Sequence, residues 1–303
     1  MKVVLAGGAG FIGRALAHRL LGEDHEVVIL TRNADRARRA LPPEIILDRW
    51  DGSNQGSWVS RLEGAEVVVN LAGESIAAHR WTDAQKELIL RSRIDGTRAL
   101  VQAVRSVDQK PVLFLSGSAV GVYGNVPAGD VTEDWPPGRG FLAETARAWE
   151  AEAREAETTG LRVVVVRIGN VMGRGGGALG RLVLPFRLFV GGPLGSGRQW
   201  FPWIHLDDLV EAFLFLMRQE TIAGPVNAVA PEPVTTGDLA ASIGRVLRKP
   251  SWMPVPALLL RLLLGEMSEV VLGGAKALPR ELLNAGFAFR FPELHAALRD
   301  LLR

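Results

Sequence analysis

The sequence contains no cysteine, a single tyrosine (Tyr123) and only five histidines among its 303 residues. Without cysteine, the chain can form no disulfide, thiolate zinc site or iron–sulfur cluster, and it has no cysteine nucleophile. The histidines are scattered at positions 18, 25, 79, 205 and 295, with no His-x-x-x-His pair, so we expect no metal site. The absence of cysteine fits a reducing compartment best, and we predict a cytoplasmic protein.

Neither sign of charge dominates, and long hydrophobic runs are missing. Lys and Arg number 35 against 33 Asp and Glu, which gives a formal net charge of +2, and the basic residues are dispersed. We therefore expect no binding to nucleic acid or to an anionic membrane surface. The apolar stretch Ala257–Leu264 is far shorter than the roughly 20 residues that span a bilayer. Met1 leads directly into a strand pattern rather than a secretory signal, so we predict a soluble protein.

Short apolar runs alternate with helical patterns along the first half of the chain. Val67 to Val69 and Val163 to Val166 are apolar on consecutive residues, as strands that helices cover on both faces require. The pattern predicts an α/β fold with a doubly wound parallel sheet, an extended Rossmann fold. The predicted strands are Lys2 to Ala6, Glu26 to Leu30, Glu44 to Leu47, Val67 to Leu71, Pro111 to Ser116 and Arg162 to Arg167.

After Arg167 the sequence becomes rich in glycine, and helices bounded by proline follow. This change predicts a dinucleotide-binding domain over residues 1–172 and a smaller α/β substrate-side lobe over residues 173–303, with strands able to cross between them. The predicted lobe elements are helices over His205 to Arg218, Thr236 to Leu247 and Pro256 to Leu264, and a strand over Pro225 to Ala228.

A glycine-rich loop lies directly after the first predicted strand. Gly7, Gly10 and Gly13 form a Gly-x-x-Gly-x-x-Gly pattern, and Phe11 and Ile12 open an amphipathic helix. Such glycines permit a tight turn and let backbone N–H groups approach a pyrophosphate at the positive end of the helix. A purely structural glycine turn is the alternative, but the position of the loop favours a dinucleotide site.

The end of the second strand predicts which dinucleotide binds. Sites that prefer NAD place an acidic residue about 20 positions after the loop, whereas this strand ends in Thr31-Arg32-Asn33. The Arg32 guanidinium suits a 2′-phosphate, through charge-assisted hydrogen bonds of about 1.5–3 kcal/mol, and Thr31 can assist. We therefore predict NADP as the cofactor, against the alternative that Arg32 is only a solvated residue at a strand end.

Several longer motifs resemble a known family. The glycine loop, Asn70-Leu71-Ala72-Gly73 and Val122-Tyr123-Gly124 resemble the extended short-chain dehydrogenase/reductases. The chain is most similar to the atypical "epimerase family" branch of that NAD-dependent epimerase/dehydratase superfamily, which carries an uncharacterised C-terminal segment, here about residues 252–300. The motifs that carry this closer resemblance are Asn70-Leu71-Ala72-Gly73-Glu74, Phe141-Leu142-Ala143-Glu144, Gly191 to Gln199, Trp203-Ile204-His205 and Gly265-Glu266-Met267.

The resemblance implies several cofactor contacts. Leu71, Ala72 and Gly73 would pass under the ribose-phosphate region, and Arg93 would reach a cofactor phosphate. Glu87, on the same predicted helix, would pair with Arg93, touch the ribose or form an ordinary surface pair.

Three further positions are assigned by the same resemblance. Asp51 would lie against the adenine, and Asn170 would line the nicotinamide and substrate end unless it serves only a turn. Ser116, at the end of the fifth strand, is counted among the cofactor residues.

The usual catalytic pair of this superfamily is absent. Its active members use a Tyr-x-x-x-Lys pair to move a proton and a serine to polarise a carbonyl. Tyr123 is followed four places on by Pro127, so no such pair exists in the sequence. The aligned positions hold Leu142 or Phe141 in place of Tyr, and Ala146 or Thr145 in place of Lys.

Two residues remain as catalytic candidates. Ser118 matches the catalytic serine by its position after the fifth strand, although a serine that caps the next turn is an equal alternative. Glu144 is the carboxylate nearest the lost pair, and a desolvated glutamate can reach a useful pKa. His205, followed by Asp207-Asp208, is expected first of all to cap a helix.

These observations predict an NADP(H)-binding oxidoreductase or epimerase-like enzyme that acts on an unknown small molecule without the Tyr-x-x-x-Lys pair. The alternative is a catalytically silent NADPH-dependent sensor or scaffold. An ordinary nucleotide-sugar epimerase is disfavoured, because its chemistry needs an effective base near the sugar hydroxyl. Many members of the superfamily dimerise through helices in the long connections of the sheet, so a homodimer is also expected.

Overall fold

In a computed structural model, which describes residues 1–53 and 56–303, strands and helices alternate as the sequence predicts. The strands are β1 (Lys2–Ala6), β2 (Glu26–Thr31), β3 (Ile46–Arg49), β4 (Val67–Asn70), β5 (Leu113–Ala119), β6 (Val126–Val131), β7 (Arg162–Ile168), β8 (Asn170–Gly173), β9 (Gly176–Gly177), β10 (Trp203–His205), β11 (Gly224–Ala228) and β12 (Ala275–Ala277). The α-helices are α1 (Phe11–Leu21), α2 (Ala34–Arg38), α3 (Asp83–Ser106), α4 (Phe141–Arg154), α5 (Leu179–Arg187), α6 (Leu206–Arg218), α7 (Thr236–Leu247), α8 (Ala257–Leu264), α9 (Glu269–Leu272), α10 (Arg280–Asn284) and α11 (Leu294–Leu302).

Seven parallel strands form the central sheet, in the order β3-β2-β1-β4-β5-β7-β11. The order runs outward in both directions from β1 and β4, so the connecting helices lie on both faces. Strand β1 lies inside the sheet, next to the central strand β4, with Val4 paired to Val28 of β2 and to Val68 of β4. This arrangement confirms the predicted doubly wound parallel sheet, and it brings the carboxyl ends of all seven strands to one edge.

Two apolar layers cover the sheet. On one face α1 and α6 bury Leu16, Leu20, Leu209 and Phe213. On the other face α3 and α4 bury a second group, which includes Leu100, Val104 and Ala153. Consecutive valines in the strands supply both layers, since neighbouring side chains of a strand point to opposite faces.

A smaller lobe, formed mostly by residues after β7, adds the strands β10-β8-β9. Its strand β12 pairs with β6, which lies between β5 and β7 in the chain. Helices α5, α7 and α11 form its core around Trp203 and Phe186. Strand β11, which comes after residue 172 in the chain, pairs with β7 at the edge of the central sheet. The domain boundary at residue 172 stays a prediction. Across the described residues, the helices are too short or too polar to cross a membrane.

Candidate functional site

The glycine loop joins β1 to α1 and packs tightly on the segment that follows β4. Gly7 has a φ of +76°, and a Cβ atom there would lie 2.7 Å from the Leu71 carbonyl. A Cβ on Gly13 would lie 2.5 Å from the Gly8 Cα atom. A Cβ on Gly10 would meet only the Gly7 carbonyl oxygen, at 3.2 Å, within a 4 Å radius. Gly7 and Gly13 are therefore required by internal packing, whereas the outer side of Gly10 is open to an approaching group.

Helix α1 begins at this loop, with Gly10 as its N-cap. The first helical hydrogen bond runs from the Arg14 N–H to the Gly10 carbonyl, at 2.9 Å. The N–H groups of Phe11, Ile12 and Gly13 precede that bond and point out of the helix end, where they favour an anion. The loop and helix end thus have the shape and the donors that a pyrophosphate requires.

Arg32 follows β2 at the same edge of the sheet. Its side chain is 74% exposed, and its Nη2 lies 3.6 Å from Oε2 of Glu74, in the segment after β4. The Thr31 hydroxyl accepts a long hydrogen bond from the Asn33 N–H, at 3.4 Å. An exposed ion pair of this kind is weakly held, so the Arg32 guanidinium is free to exchange its partner for a phosphate.

Asn70, at the end of β4, shapes the segment under the loop. Its side-chain oxygen accepts from the Ala72 N–H at 3.2 Å, and its amide donates to the Thr97 hydroxyl at 2.8 Å. The Trp149 indole N–H donates to the same hydroxyl at 2.9 Å. This buried chain of bonds between β4, α3 and α4 fixes the turn of Leu71 and Ala72. Sequence reasoning missed Thr97, because nothing in the sequence pairs it with Asn70.

Arg93 of α3 lies directly behind the same segment. Its Nη1 donates to the carbonyl oxygens of Glu74 and Ile89, both at 3.0 Å, and its guanidinium lies over the Trp149 ring. A Cβ on Gly73 would lie 3.1 Å from the guanidinium carbon, which shows how closely the two residues pack. Burial lowers the pKa of Arg93 to about 10, so the group stays charged at neutral pH. Contact with a cofactor phosphate stays a prediction.

Glu87 and Asp51 lie on the outside of this region. Glu87 pairs with Arg91, at 2.7 Å, rather than with Arg93. Glu87 thus forms a surface pair, and a contact between Glu87 and the cofactor ribose stays a prediction. Asp51 follows β3, is exposed, and accepts from the Ser53 N–H at 2.9 Å; hydrogen bonds from Ser53 lower its pKa. A contact between Asp51 and adenine stays a prediction.

Ser118, the predicted catalytic serine, donates its hydroxyl proton to Glu150 Oε1 at 2.7 Å. Glu150 also accepts from Arg167 Nε and Nη2, at 2.9 and 3.0 Å, and the three side chains are nearly inaccessible. A serine hydroxyl has one proton, so Ser118 can polarise a substrate carbonyl only if its bond to Glu150 breaks. Ser116 bonds to the carbonyl of Gly117, at 3.2 Å. The structure thus gives both serines internal partners.

The same buried network contains the only tyrosine of the sequence. Tyr123 donates to Asn227 Oδ1 at 2.7 Å and accepts from Arg167 Nη1 at 2.9 Å. Burial alone would lower the pKa of Arg167, but the hydrogen bonds and charge of Glu150 outweigh it and raise that pKa. Burial raises the pKa of Tyr123. Tyr123 therefore ties β11 to the central network and is no substitute for the missing proton donor.

Helix α4 carries the positions of the absent pair. Leu142 packs against Gly121, and Ala146 is buried beside Tyr123. Glu144 is exposed to solvent. Thr145 is 4% exposed, and its hydroxyl has no hydrogen-bond partner within residues 1–53 and 56–303. Glu144 lacks the burial on which its predicted catalytic role depends, and that role stays a prediction.

Asn170 and His205 have structural partners in the lobe. Asn170 donates to the Pro202 carbonyl through both its backbone and its side chain, at 2.8 and 2.9 Å. His205 caps α6, accepting from the Asp207 N–H at 3.1 Å, and stacks on Phe291. The capping interpretation of His205 is thus confirmed, and burial lowers its pKa despite the nearby Asp300.

The sheet order, the glycine loop and the open helix end define a Rossmann-type dinucleotide-binding protein of the extended kind. The sequence model described as "NAD dependent epimerase/dehydratase family" matches residues 3–228, and "Domain of unknown function (DUF1731)" matches residues 255–301. The chain belongs to the NAD dependent epimerase/dehydratase family. This confirms the resemblance stated from the motifs, including the separate C-terminal segment.

Similar proteins span the whole chain. An "Epimerase family protein SDR39U1 homolog, chloroplastic" from Arabidopsis thaliana is 39% identical, over 100% of this chain and 87% of its own length. "Epimerase family protein YfhF" from Bacillus subtilis is 37% identical, over 100% of this chain and 98% of its own length. The human epimerase family protein SDR39U1, crystallised with NADPH, has a TM-score of 0.88 at 35% identity, over 99% of both chains. A Bacillus cereus UDP-glucuronic acid 4-epimerase, at 20% identity and a TM-score of 0.78, shares the fold.

Proposed function

We propose that this protein binds NADP(H) and uses it in an oxidoreductase or epimerase-like reaction on a small molecule. The observation that carries the cofactor assignment is Arg32, an exposed cation beside the glycine loop where NAD-preferring sites have a carboxylate. The NADPH found with the human SDR39U1 protein supports the same assignment. A bound nicotinamide would supply the hydride chemistry.

The residues of the chain provide binding and orientation at this site. The N–H groups of Phe11, Ile12 and Gly13 would hold the pyrophosphate, and Arg32 would exchange Glu74 for the 2′-phosphate. Asn70 holds the turn that would pass under the ribose. Among the described residues, the Arg32 guanidinium has a long ion pair with Glu74, whereas Asn70 and Arg93, behind the site, have hydrogen-bond partners at 2.8–3.2 Å.

The reaction step must proceed without Tyr-x-x-x-Lys. Ser118 would have to turn its hydroxyl from Glu150 to a substrate carbonyl, and Glu144 would have to be desolvated by the substrate before it could exchange a proton. Neither rearrangement is required for cofactor binding. Binding and turnover are therefore separate parts of the proposal.

The second candidate function is a catalytically silent NADPH-dependent sensor or scaffold. The hydrogen bond from Ser118 to Glu150 favours it, because the one hydroxyl positioned for catalysis is already used in the core. A sensor would retain cofactor binding and would show no cofactor oxidation with any carbonyl substrate. A homodimer stays a prediction under either function.

The test is a fluorescence titration with NADPH and with NADH. We expect NADPH to bind about 10-fold or more tightly, as one charge-assisted contact implies. Arg32→Gln should remove most of that preference, while Arg39→Gln, an exposed arginine at the other end of α2, should keep it. Equal affinities for the two cofactors in the unmodified protein would refute the assignment of Arg32, and no binding of either would refute the proposed function.

A further inference from the structure

One segment near the C-terminus bridges the smaller lobe and the half of the chain that carries the glycine loop. It comprises residues 265–274, which include α9, and we call it the strap. On the side of the lobe, Gln199 Nε2 donates to the Val271 carbonyl at 3.0 Å. On the other side, Nζ of Lys86, in α3, lies 2.8 Å from Oε2 of Glu266. The strap therefore joins two parts of the fold that are otherwise separate in the chain.

The strap lies across the edge of the sheet where β4 and β5 end. Arg80 and Lys86 follow β4 in the chain, and a Cβ on Gly265 would lie 3.3 Å from Arg80 Nη2. Asn125 follows β5, and its Oδ1 accepts from the Gly274 N–H at 3.2 Å. The strap thus contacts the segments that leave the carboxyl ends of both strands. Ligands of doubly wound sheets bind at this edge.

The order of the strands indicates which end of a dinucleotide would lie under the strap. Arg32 follows β2 and the glycine loop follows β1, so a 2′-phosphate at Arg32 places the adenosine at β2 and the pyrophosphate at β1. The other end of the molecule, the nicotinamide, then continues toward β4 and β5, the next strands of the sheet. This step rests on the proposed function. The strap would therefore cover the nicotinamide end of the cofactor.

Glycines with positive φ lie at both ends of the strap. Gly265 has a φ of +60°, and Gly274, which follows a further glycine, has a φ of +154°. Residues at the ends of an element can absorb the changes in φ and ψ that a hinge motion requires, and glycine does so without a steric penalty. The helical turns between the two glycines can therefore move as one unit.

The strap is packed loosely against the lobe. A partly open space of about 210 Å³ lies between α5, α7 and the α8–α9 segment, and Val271 of the strap lines it. Among residues 265–274, all of which the structure describes, only Ser268 is buried. Side chains next to unfilled space lose packing contacts, and a segment with few buried side chains opens at low cost. Packing alone therefore holds the strap in place only weakly.

The ion pair between Lys86 and Glu266 is the charged contact that ties the strap to α3. Lys86 also lies 3.2 Å from Oδ1 of Asp83, and hydrogen bonds to Glu266 and Asp83 raise the pKa of Lys86 above its ordinary value. Lys86 is therefore charged at neutral pH. The Lys86 and Glu266 side chains are 23% and 61% exposed, so their ion pair is weak enough to open and close.

We propose that the strap is a lid over the nicotinamide end of the cofactor site, held closed by the ion pair between Lys86 and Glu266, and that it opens before NADP(H) leaves. A closed strap would keep water from the nicotinamide, as closing segments do in other enzymes. The release of NADP(H) rests on the proposed function, whereas the opening of the strap does not. The two parts are therefore tested separately.

Amide hydrogen exchange, measured by mass spectrometry without cofactor, tests the ion pair. Lys86→Glu replaces attraction by repulsion, so the amides of residues 265–274 should exchange roughly three- to 20-fold faster. Glu266→Lys should have the same effect, and it keeps the test informative if Lys86→Glu fails to fold. The double variant Lys86→Glu/Glu266→Lys restores opposite charges and should return exchange close to the original rate. Arg105→Glu is the matched control, because Arg105 forms an exposed pair with Glu155 at the other end of α3. Equal exchange of the strap in Lys86→Glu and in this control would overturn the proposal.

Stopped-flow displacement of bound NADPH by excess NADP⁺ tests the lid. Release should be roughly three- to 20-fold faster in both single variants and should return close to the original rate in the double variant. Lys86→Glu and Glu266→Lys change the net charge in opposite directions, so a purely electrostatic effect on the bound anion would speed release in one and slow it in the other. Faster hydrogen exchange with unchanged release would overturn the proposal. No binding of NADPH by the unmodified protein would instead refute the proposed function, and hydrogen exchange would still decide whether this ion pair holds the strap.

Discussion

The substitution Glu150→Gln tests the buried network most directly. Glu150 is 3% exposed and accepts hydrogen bonds from Ser118 and from two nitrogens of Arg167, which is 4% exposed. Arg154 donates a further bond at 3.2 Å. The substitution keeps the size of the side chain but removes its charge, so the Arg167 guanidinium remains buried without a counter-charge.

The expected cost follows from this burial. Removing one partner of a buried ion pair destabilises a protein by about 3–5 kcal/mol. Glu152→Gln is the matched control, because Glu152 lies two residues further along α4 and pairs with Arg98 on the surface. An exposed pair contributes about 0.2–1 kcal/mol. The two substitutions should therefore differ by several kcal/mol, although each removes one carboxylate from the same helix.

Urea denaturation at pH 7 measures both variants against the unmodified protein. Glu150→Gln should lower the urea midpoint strongly and, in thermal denaturation, reduce the melting temperature by roughly 5–15 °C. Glu152→Gln should change both quantities little. If Glu150→Gln cost less than about 1 kcal/mol, the network would not be an essential part of the core. Ser118 would then be free to leave Glu150, and its proton would be available to a substrate.

Three further predictions concern the cofactor site and the lobe. Glu74→Gln should raise the affinity for NADPH up to about five-fold with little change for NADH, because Arg32 no longer has to break its ion pair with Glu74. An equal effect on both cofactors in titrations would contradict this. Gly7→Ala should destabilise the protein and weaken NADPH binding more than Gly160→Ala. Both glycines have positive φ, but only Gly7 has backbone atoms within 4 Å of the added Cβ. Equal melting temperatures of the two variants would refute the reasoning. His205→Gln should make the free energy of unfolding less sensitive to acid. Burial lowers the pKa of His205 in the folded protein, so the unfolded chain binds the extra proton and stability falls as the pH drops below about 6.5. Parallel curves of stability against pH for the two proteins between pH 5 and 8 would exclude His205 as the cause.

The central sheet was predictable from the sequence because its strands are buried on both faces. Val163 to Val166 and Val67 to Val69 are apolar without alternation, and few local structures other than a covered strand use such a run. The glycine loop was predictable because Gly7 and Gly13 are required by contacts that any Rossmann loop makes. Both signals are local in the sequence.

The buried polar network was not predictable, because its members are far apart in the sequence. Ser118, Glu150 and Arg167 come from β5, α4 and β7, and Asn227 comes from β11. Each is an ordinary polar residue within its own segment. Only the parallel register, which pairs Ser118 with Arg167 and Asn227 with Arg167, brings them together at one end of the sheet.

The hydrogen-bond partners divide the polar groups near the site into two kinds: groups that can bind a ligand and groups that stabilise the core. The N–H groups at the start of α1 precede the first helical hydrogen bond, and among the described residues Arg32 has an exposed, long ion pair with Glu74, so both can contact a dinucleotide. Ser118 and Tyr123 already have partners at 2.7 Å inside the core, so a substrate would have to compete with Glu150 or Asn227 for them. Loss of the Tyr-x-x-x-Lys pair therefore removes the proton donor without disturbing the cofactor site. The groups that face the predicted cofactor position therefore differ from the polar side chains that the core already uses.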